Sequence, residues 1–163
     1  MIKGRTRTTQ LQMAKEYGIE NPPNAGGGCL LTEPYFGIKA KDLFEHIETP
    51  TINDVDLLKI GRHFRLDEET KFVVGRNKDE NEMIKAIALP GDILLEVKDY
   101  VGPISILRGK NAKLHVKFAS SVTLRYSDAP KDQHGIVTVK DDNSSKEISV
   151  ESIEEQSYIK FRM

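Results

Sequence analysis

The chain has 163 residues, enough for one domain with a sizeable core or for a domain with a helical extension, and too few for two full-size domains. Twenty-four Lys and Arg against 25 Asp and Glu leave a net charge of -1, so no overall field draws the protein to nucleic acid or an anionic membrane, and any polyanion site has to be local. Hydrophobic residues at 38% exclude wholesale disorder, one cysteine excludes an internal disulfide, and there is neither a bilayer-length apolar run nor a secretory leader, so the chain reads as cytoplasmic and reduced.

The opening TRTTQLQMAKEYGI sets Leu11, Ala14 and Tyr17 at helical spacing and offers Gly18 as a stop, which predicts a short helix. ENPPNAGGGC then reads as a loop of about ten residues. Pro34 suits a first helical turn, and Phe36, Ala40, Leu43, Phe44 and Ile47 mark one apolar face of the helix that follows. From residue 56 the period shortens: DLLKIG, HFRL and KFVVGR are expected as strands. KDENEMIKAIALPGD brings Met83, Ile84, Ile87 and Ala88 onto one helical face before Pro90-Gly91. DILLEV and ISILRG read as strands around the turn-rich KDYVGP. NAKLHVKFASSVTLRYSD has Leu114, Phe118, Val122 and Arg125 at helical offsets, although Val116, Val122 and Thr123 also suit a strand. GIVTVK, DDNSSK and EISV have the form of a hairpin, and SYIKFR is expected to add a last strand.

Strands and helices without strict alternation predict an α+β fold: one or more small mixed or antiparallel sheets with packed helices, preceded by a helix-loop-helix extension. The expected division is residues 1–52 as a helical segment with a Gly-rich Cys loop, and 53–163 as the α+β domain.

Cys29 is the first candidate for chemistry. Glycines before it and a helix start just after it suit a thiolate, yet a lone cysteine ahead of Leu30 and Leu31 equally suits a small buried hydrophobe. AGGG lacks the Lys and Ser/Thr of a phosphate loop, and His46, His63, His115 and His134 have no metal-ligand spacing, so no metal site is expected. Lys59, Arg62, His63, Arg65, Lys71, Arg76 and Lys78 crowd one short region, and Gly75-Arg76-Asn77 suits a turn whose donors converge on a phosphate. Asp67, Glu68, Glu69, Asp79, Glu80 and Glu82 nearly cancel that charge, so a solvated mixed-charge face stands beside polyanion binding as a reading. Tyr126, next to Arg125, suits either stacking on a base or packing.

The stretch KFVVGRNKDENEMIKAIALPGDILLEV resembles the NFACT-R RNA-binding domain. The features that carry the likeness are the Gly75-Arg76-Asn77 turn with Asn81, the pair Pro90 and Asp92, the Val97-Lys98-Asp99…Gly102 turn, and RYSDA from Arg125 to Ala129. Leu94, Leu95 and Glu96 stand where the family carries an aromatic and a histidine. The earlier half resembles a segment of bacterial tRNA-thiolation proteins akin to 4-thiouridine synthase and tRNA 2-thiouridylase, with Cys29 and Ile60-Gly61-Arg62 as counterparts of a sulfur-carrying cysteine and an IG-R element. Their SGG-x-DS nucleotide loop is absent, so no cofactor is expected in this chain itself, and ATP and a sulfur donor enter only through a paired ATP-pyrophosphatase.

The resemblances imply a tRNA- or structured-RNA-binding region of a thiolation-type system, with no DNA and no membrane as partner. Arg62, Arg65, Arg76, Asn77, Lys78, Asn81, Lys98, Arg125 and Tyr126 would contact RNA, and Cys29 would carry sulfur. The alternatives are a binding module with an inert Cys29, and a domain that docks onto an ATPase or ribosomal partner without touching RNA.

Overall fold

A computed structural model describes residues 8–19, 30 and 33–163, and divides the chain into two compact units, Met1–Gly37 and Ile38–Met163. The first unit holds helix α1, Thr8–Glu16. It ends as the sequence predicts: Gly18 turns left-handed at φ 69°, its N–H reaches the Lys15 carbonyl, and the Ile19 N–H reaches Ala14. Residues 20–29, with Cys29 and most of the expected glycine loop, lie outside the described residues.

Helix α2, Pro34–His46, starts at the expected proline. Ala40 and Leu43 on its expected apolar face are buried, whereas Phe44 on the same face is exposed. The strand expected over DLLKIG is instead the end of helix α3, Ile52–Leu58, and the turn after it. Its start explains the error: Thr51 and Asp54 form a reciprocal capping box, and that local signal prevails over the strand-like Leu57, Leu58 and Ile60.

The second unit is built on one open sheet of six antiparallel strands in the order β1-β2-β4-β3-β5-β6. The strands are β1 Arg62–Asp67, β2 Thr70–Val74, β3 Ile93–Val97, β4 Ile104–Gly109, β5 His134–Lys140 and β6 Ser145–Glu151. Together with six helices among the described residues, this is the α+β class that the pattern implied.

Alternation along the strands sorts the side chains between two layers. Phe64, Phe72, Val74, Leu95, Leu107 and Val137 face helix α5, Val116–Arg125, and form the larger core with its Ala119, Val122 and Leu124. Val73, Ile104 and Ile106 face the other way, onto Leu57 and Ile60 of the α3 region and Ile84 of helix α4, Lys78–Ile87. A 3-10 turn, Ala112–His115, leads into α5. Its tighter winding takes Leu114 out of the helical series expected with Phe118 and Val122, and Leu114 is 80% exposed. SYIKFR adds no sixth-strand neighbour: it forms the one-turn helix α6, Glu155–Tyr158, and a 3-10 turn, Ile159–Phe161, before Arg162 bridges to Phe64 at the outer edge of β1. Tyr158 and Phe161 are drawn into ring contacts with Phe64, Tyr126 and Phe118, burial that an edge strand would not provide.

Candidate functional site

The register places the start of β1, the ends of β2 and β3, the starts of β4 and β5, and the end of β6 at one end of the sheet: Arg62 opposes Val74, Glu96 opposes Ile104, and Val97 opposes Val137. Helix α4 begins at this end and α5 finishes there. Arg62, Arg76, Asn77, Lys78, Asn81, Lys98, Arg125 and Tyr126, spread over 65 positions of sequence, therefore stand along one rim.

The Gly75-Arg76-Asn77 turn is built by local bonds. Asn77 caps α4 by accepting the Glu80 N–H at 2.9 Å. A Cβ on Gly75 would overlap the Asn81 side chain, whose Oδ1 accepts the Ile104 N–H at 2.9 Å and whose Nδ2 donates to the Gly102 carbonyl. Asn81 thus ties α4 to the β3–β4 loop, and only glycine leaves it room. Glu80 ties the start of β1 to the end of β2. It accepts the Arg76 N–H at 2.8 Å and the Arg76 guanidinium at 2.6 Å, and takes a further bond from the Gly61 backbone. Burial alone would raise its carboxyl; the Arg76 bonds and the Gly61 N–H outweigh that and hold it below the usual carboxylate range.

Behind this turn Arg62 donates to the Gly75 carbonyl at 3.2 Å and lies over the Tyr126 ring, 4.7 Å from its centroid. Burial, and then the hydrogen bond with Tyr158, push the Tyr126 phenol up to about 12. Its ring has one face on Arg62 and an edge on Tyr158, so Tyr126 is a packed residue. Lys98 pairs with Glu147 at 2.8 Å. Lys78 and Arg162 are exposed and Arg125 half-buried, and among the described residues none of the three pairs with a carboxylate. Lys131 closes the rim: its ammonium donates to the Arg125 and Ser127 carbonyls at the end of α5, makes no direct ion pair, and feels Asp128 nearby.

Arg65 stands apart from the others. It points into the opposite half of the molecule, where Nε and Nη2 grip Asp42 of α2 at 2.8 and 2.6 Å, with Lys71 on the same carboxylate at 3.3 Å. Burial would raise the Asp42 carboxyl; Arg65 and Lys71 keep it lowered. Burial pushes the Lys71 ammonium down to about 8 despite Asp42. Next to it Arg108 is held by Asp92, Asp54, Asn53 and the Ile87 carbonyl. A cavity of about 620 Å3 opens here, but its cations Arg65, Lys71 and Arg108 already have their carboxylates and its rim carries Glu45, Glu68 and Glu69. Among the described residues no group of three His, Cys, Asp or Glu is placed to hold a metal ion, and no helix is long and apolar enough to cross a membrane.

Residues 61–162 match the family model of the NFACT protein RNA binding domain. The chain belongs to this family. The motif by which the sequence resembled it is mainly architectural here: Gly75 makes room for Asn81, Asn77 caps, Asp92 holds Arg108 and the Leu89 N–H, and Gly102 packs on Ser127 with no space for a Cβ. Among solved structures, the C-terminal part of the fibronectin/fibrinogen-binding protein from Streptococcus suis shares the fold, with a TM-score of 0.51 and 15% identity over 76% of this chain and 59% of that one. The chain thus spans under two thirds of that structure. No curated protein matches in sequence. The comparisons lend no support to an origin among tRNA-thiolation proteins.

Sequence reasoning passed over Lys131, Arg162 and Tyr100. Lys131 follows the predicted end of α5, where a lysine commonly meets free carbonyls, and Tyr100 is an aromatic in a turn-rich connection; both signals were available. Arg162 was hidden by the strand expected around it.

Proposed function

We propose that the chain binds RNA at the sheet end rimmed by Arg62, Arg76, Lys78, Arg125, Lys131 and Arg162, in a domain running from about residue 53 to 163. The observation that carries this reading is that cations from five separate segments meet at one rim, that Lys78, Arg125 and Arg162 there have no carboxylate partner among the described residues, and that Lys131 is bonded to backbone carbonyls with no direct ion pair. Phosphates take up such donors with release of counterions, so a net charge of -1 over the whole chain is no obstacle. Family membership supports the same ligand class. Arg62 and Arg76, half occupied by Gly75 and Glu80, serve as fixed, oriented donors, and the exposed lysines as mobile point charges.

The finer reading, sulfur carriage on Cys29 within a tRNA-modifying system, has no comparable support, because Cys29 lies outside the described residues. The test of RNA binding is fluorescence anisotropy with a labelled tRNA and a labelled RNA hairpin across a salt series. Binding that weakens linearly in log-log form is expected, and Lys78→Ala with Arg125→Ala should reduce the slope by roughly one per residue removed. Wild-type protein that fails to bind either RNA at low salt contradicts the reading.

A further inference from the structure

Within residues 61–162 the aromatic side chains are almost all used up. Phe64, Phe72, Phe118, Tyr126, Tyr158 and Phe161 are buried or half-buried and pair with one another. Tyr100 alone in that span is exposed, at 40%, and its neighbour Val101 is 79% exposed. They form the tip of the β3–β4 loop, residues 98–103. That loop is held from two sides. The Val101 carbonyl accepts the Asp128 N–H at 2.8 Å, Gly102 is pressed on Ser127, and Asn81 grips the Gly102 carbonyl and the Ile104 N–H. Apolar side chains on a fixed backbone form a standing surface, at the rim where the cations gather.

We propose that Tyr100 and Val101 form a stacking platform for an unpaired nucleobase, whose neighbouring phosphates rest on Lys131 and Arg125. This rests on the RNA-binding reading and names the part of the RNA that is read. Charge decides between base and phosphate at the tip itself. Asp99 and Asp128 flank it and repel a phosphate, whereas an uncharged base face is accepted. The positive charge lies one step away, where the Lys131 ammonium over the Arg125 and Ser127 carbonyls and the neighbouring Arg125 guanidinium together outnumber Asp128. Tyr126, with its ring under Arg62, has no such freedom. A base within a duplex is already stacked on both faces, so the platform fits loops, bulges and single strands.

The protein contains no tryptophan, so Tyr100→Trp gives a single reporter at the platform. Its emission is titrated with a single-stranded RNA 12-mer and with a blunt duplex of equal length, beside anisotropy on the same samples. Quenching by the single strand with the midpoint of the anisotropy curve, and little by the duplex, is expected. Tyr100→Ala should weaken single-strand binding about tenfold without altering the salt slope, since stacking releases no counterions, whereas Lys131→Ala should lower the slope. If RNA binds but the emission stays constant, or Tyr100→Ala binds as tightly as wild type, the platform is overturned while the RNA-binding reading stands. If wild-type protein binds no RNA, both fall.

Discussion

The two ends of the sheet use the same residue types for opposite purposes. At the end rimmed by Arg62, Arg125 and Lys131, Arg76 and Lys98 have carboxylates but remain about half exposed, and the other cations lie on backbone carbonyls or an aromatic face, or stand in water. At the other end Arg65, Lys71 and Arg108 are at most 17% exposed and each is held by a carboxylate. A charge sealed against its partner holds helices to the sheet and has nothing left to offer a ligand; a charge satisfied only by neutral oxygens keeps its field. What separates a binding surface from a structural network here is therefore the partner of each cation, and local cation density gives no guide to it.

Breaking the sealed end should have the largest effect. Among the described residues Asp42 is the one carboxylate bonded to Arg65 and Lys71, and Asp42→Asn strands two buried cations. A loss of about 3–5 kcal/mol is expected, read as a lower denaturation midpoint in urea. At the open end stability depends on Asn81, and Asn81→Ala, which leaves the buried Ile104 N–H unpaired, should cost about 2 kcal/mol by the same measurement.

Lys71 sharpens the contrast through pH. Its ammonium, at about 8 in the folded protein against an ordinary 10.5, is a lysine lowered by burial, so the folded chain binds the proton less tightly than the unfolded chain. The penalty is complete below pH 8 and fades as pH climbs toward 10.5, so this group makes stability rise across that window. Lys71→Met leaves the Asp42–Arg65 pair in place and should be neutral or stabilising by about 1–2 kcal/mol at neutral pH, with the gain gone near pH 10.5. A variant less stable than wild type at every pH would contradict that account. The smallest stability effects belong to the open rim: Lys78→Ala should stay within about 0.5 kcal/mol of wild type.

Elements with a local cause were legible in the sequence. Gly18 stopping α1, Pro34 opening α2, the α4 helix ahead of Pro90-Gly91 and the β5–β6 hairpin all follow from neighbours within a few positions. The reading failed where two local signals competed, as at Thr51 and Asp54 against Leu57 and Leu58, or where distant contacts decided, as for Tyr158 and Phe161. The candidate site shows the same division. That Gly75 to Asn81 formed a turn was readable; that Arg65 would turn away to Asp42, 23 residues earlier, was not, because nothing in strand β1 distinguishes Arg65 from Arg62 except the layer each faces. Ordinary alternation sends these two, three apart in a regular stretch of β1, to opposite faces; which face carries Asp42 emerges only from the tertiary packing.

The most direct test compares RNA affinity across a salt series for wild type, for Lys78→Ala/Arg125→Ala/Lys131→Ala, and for Lys71→Met. The account predicts that the triple variant loses affinity and about three from the magnitude of the log-log slope, while Lys71→Met superposes on wild type. A triple variant that keeps the wild-type slope, or a Lys71→Met that loses it, would contradict the assignment of RNA to the open end of the sheet.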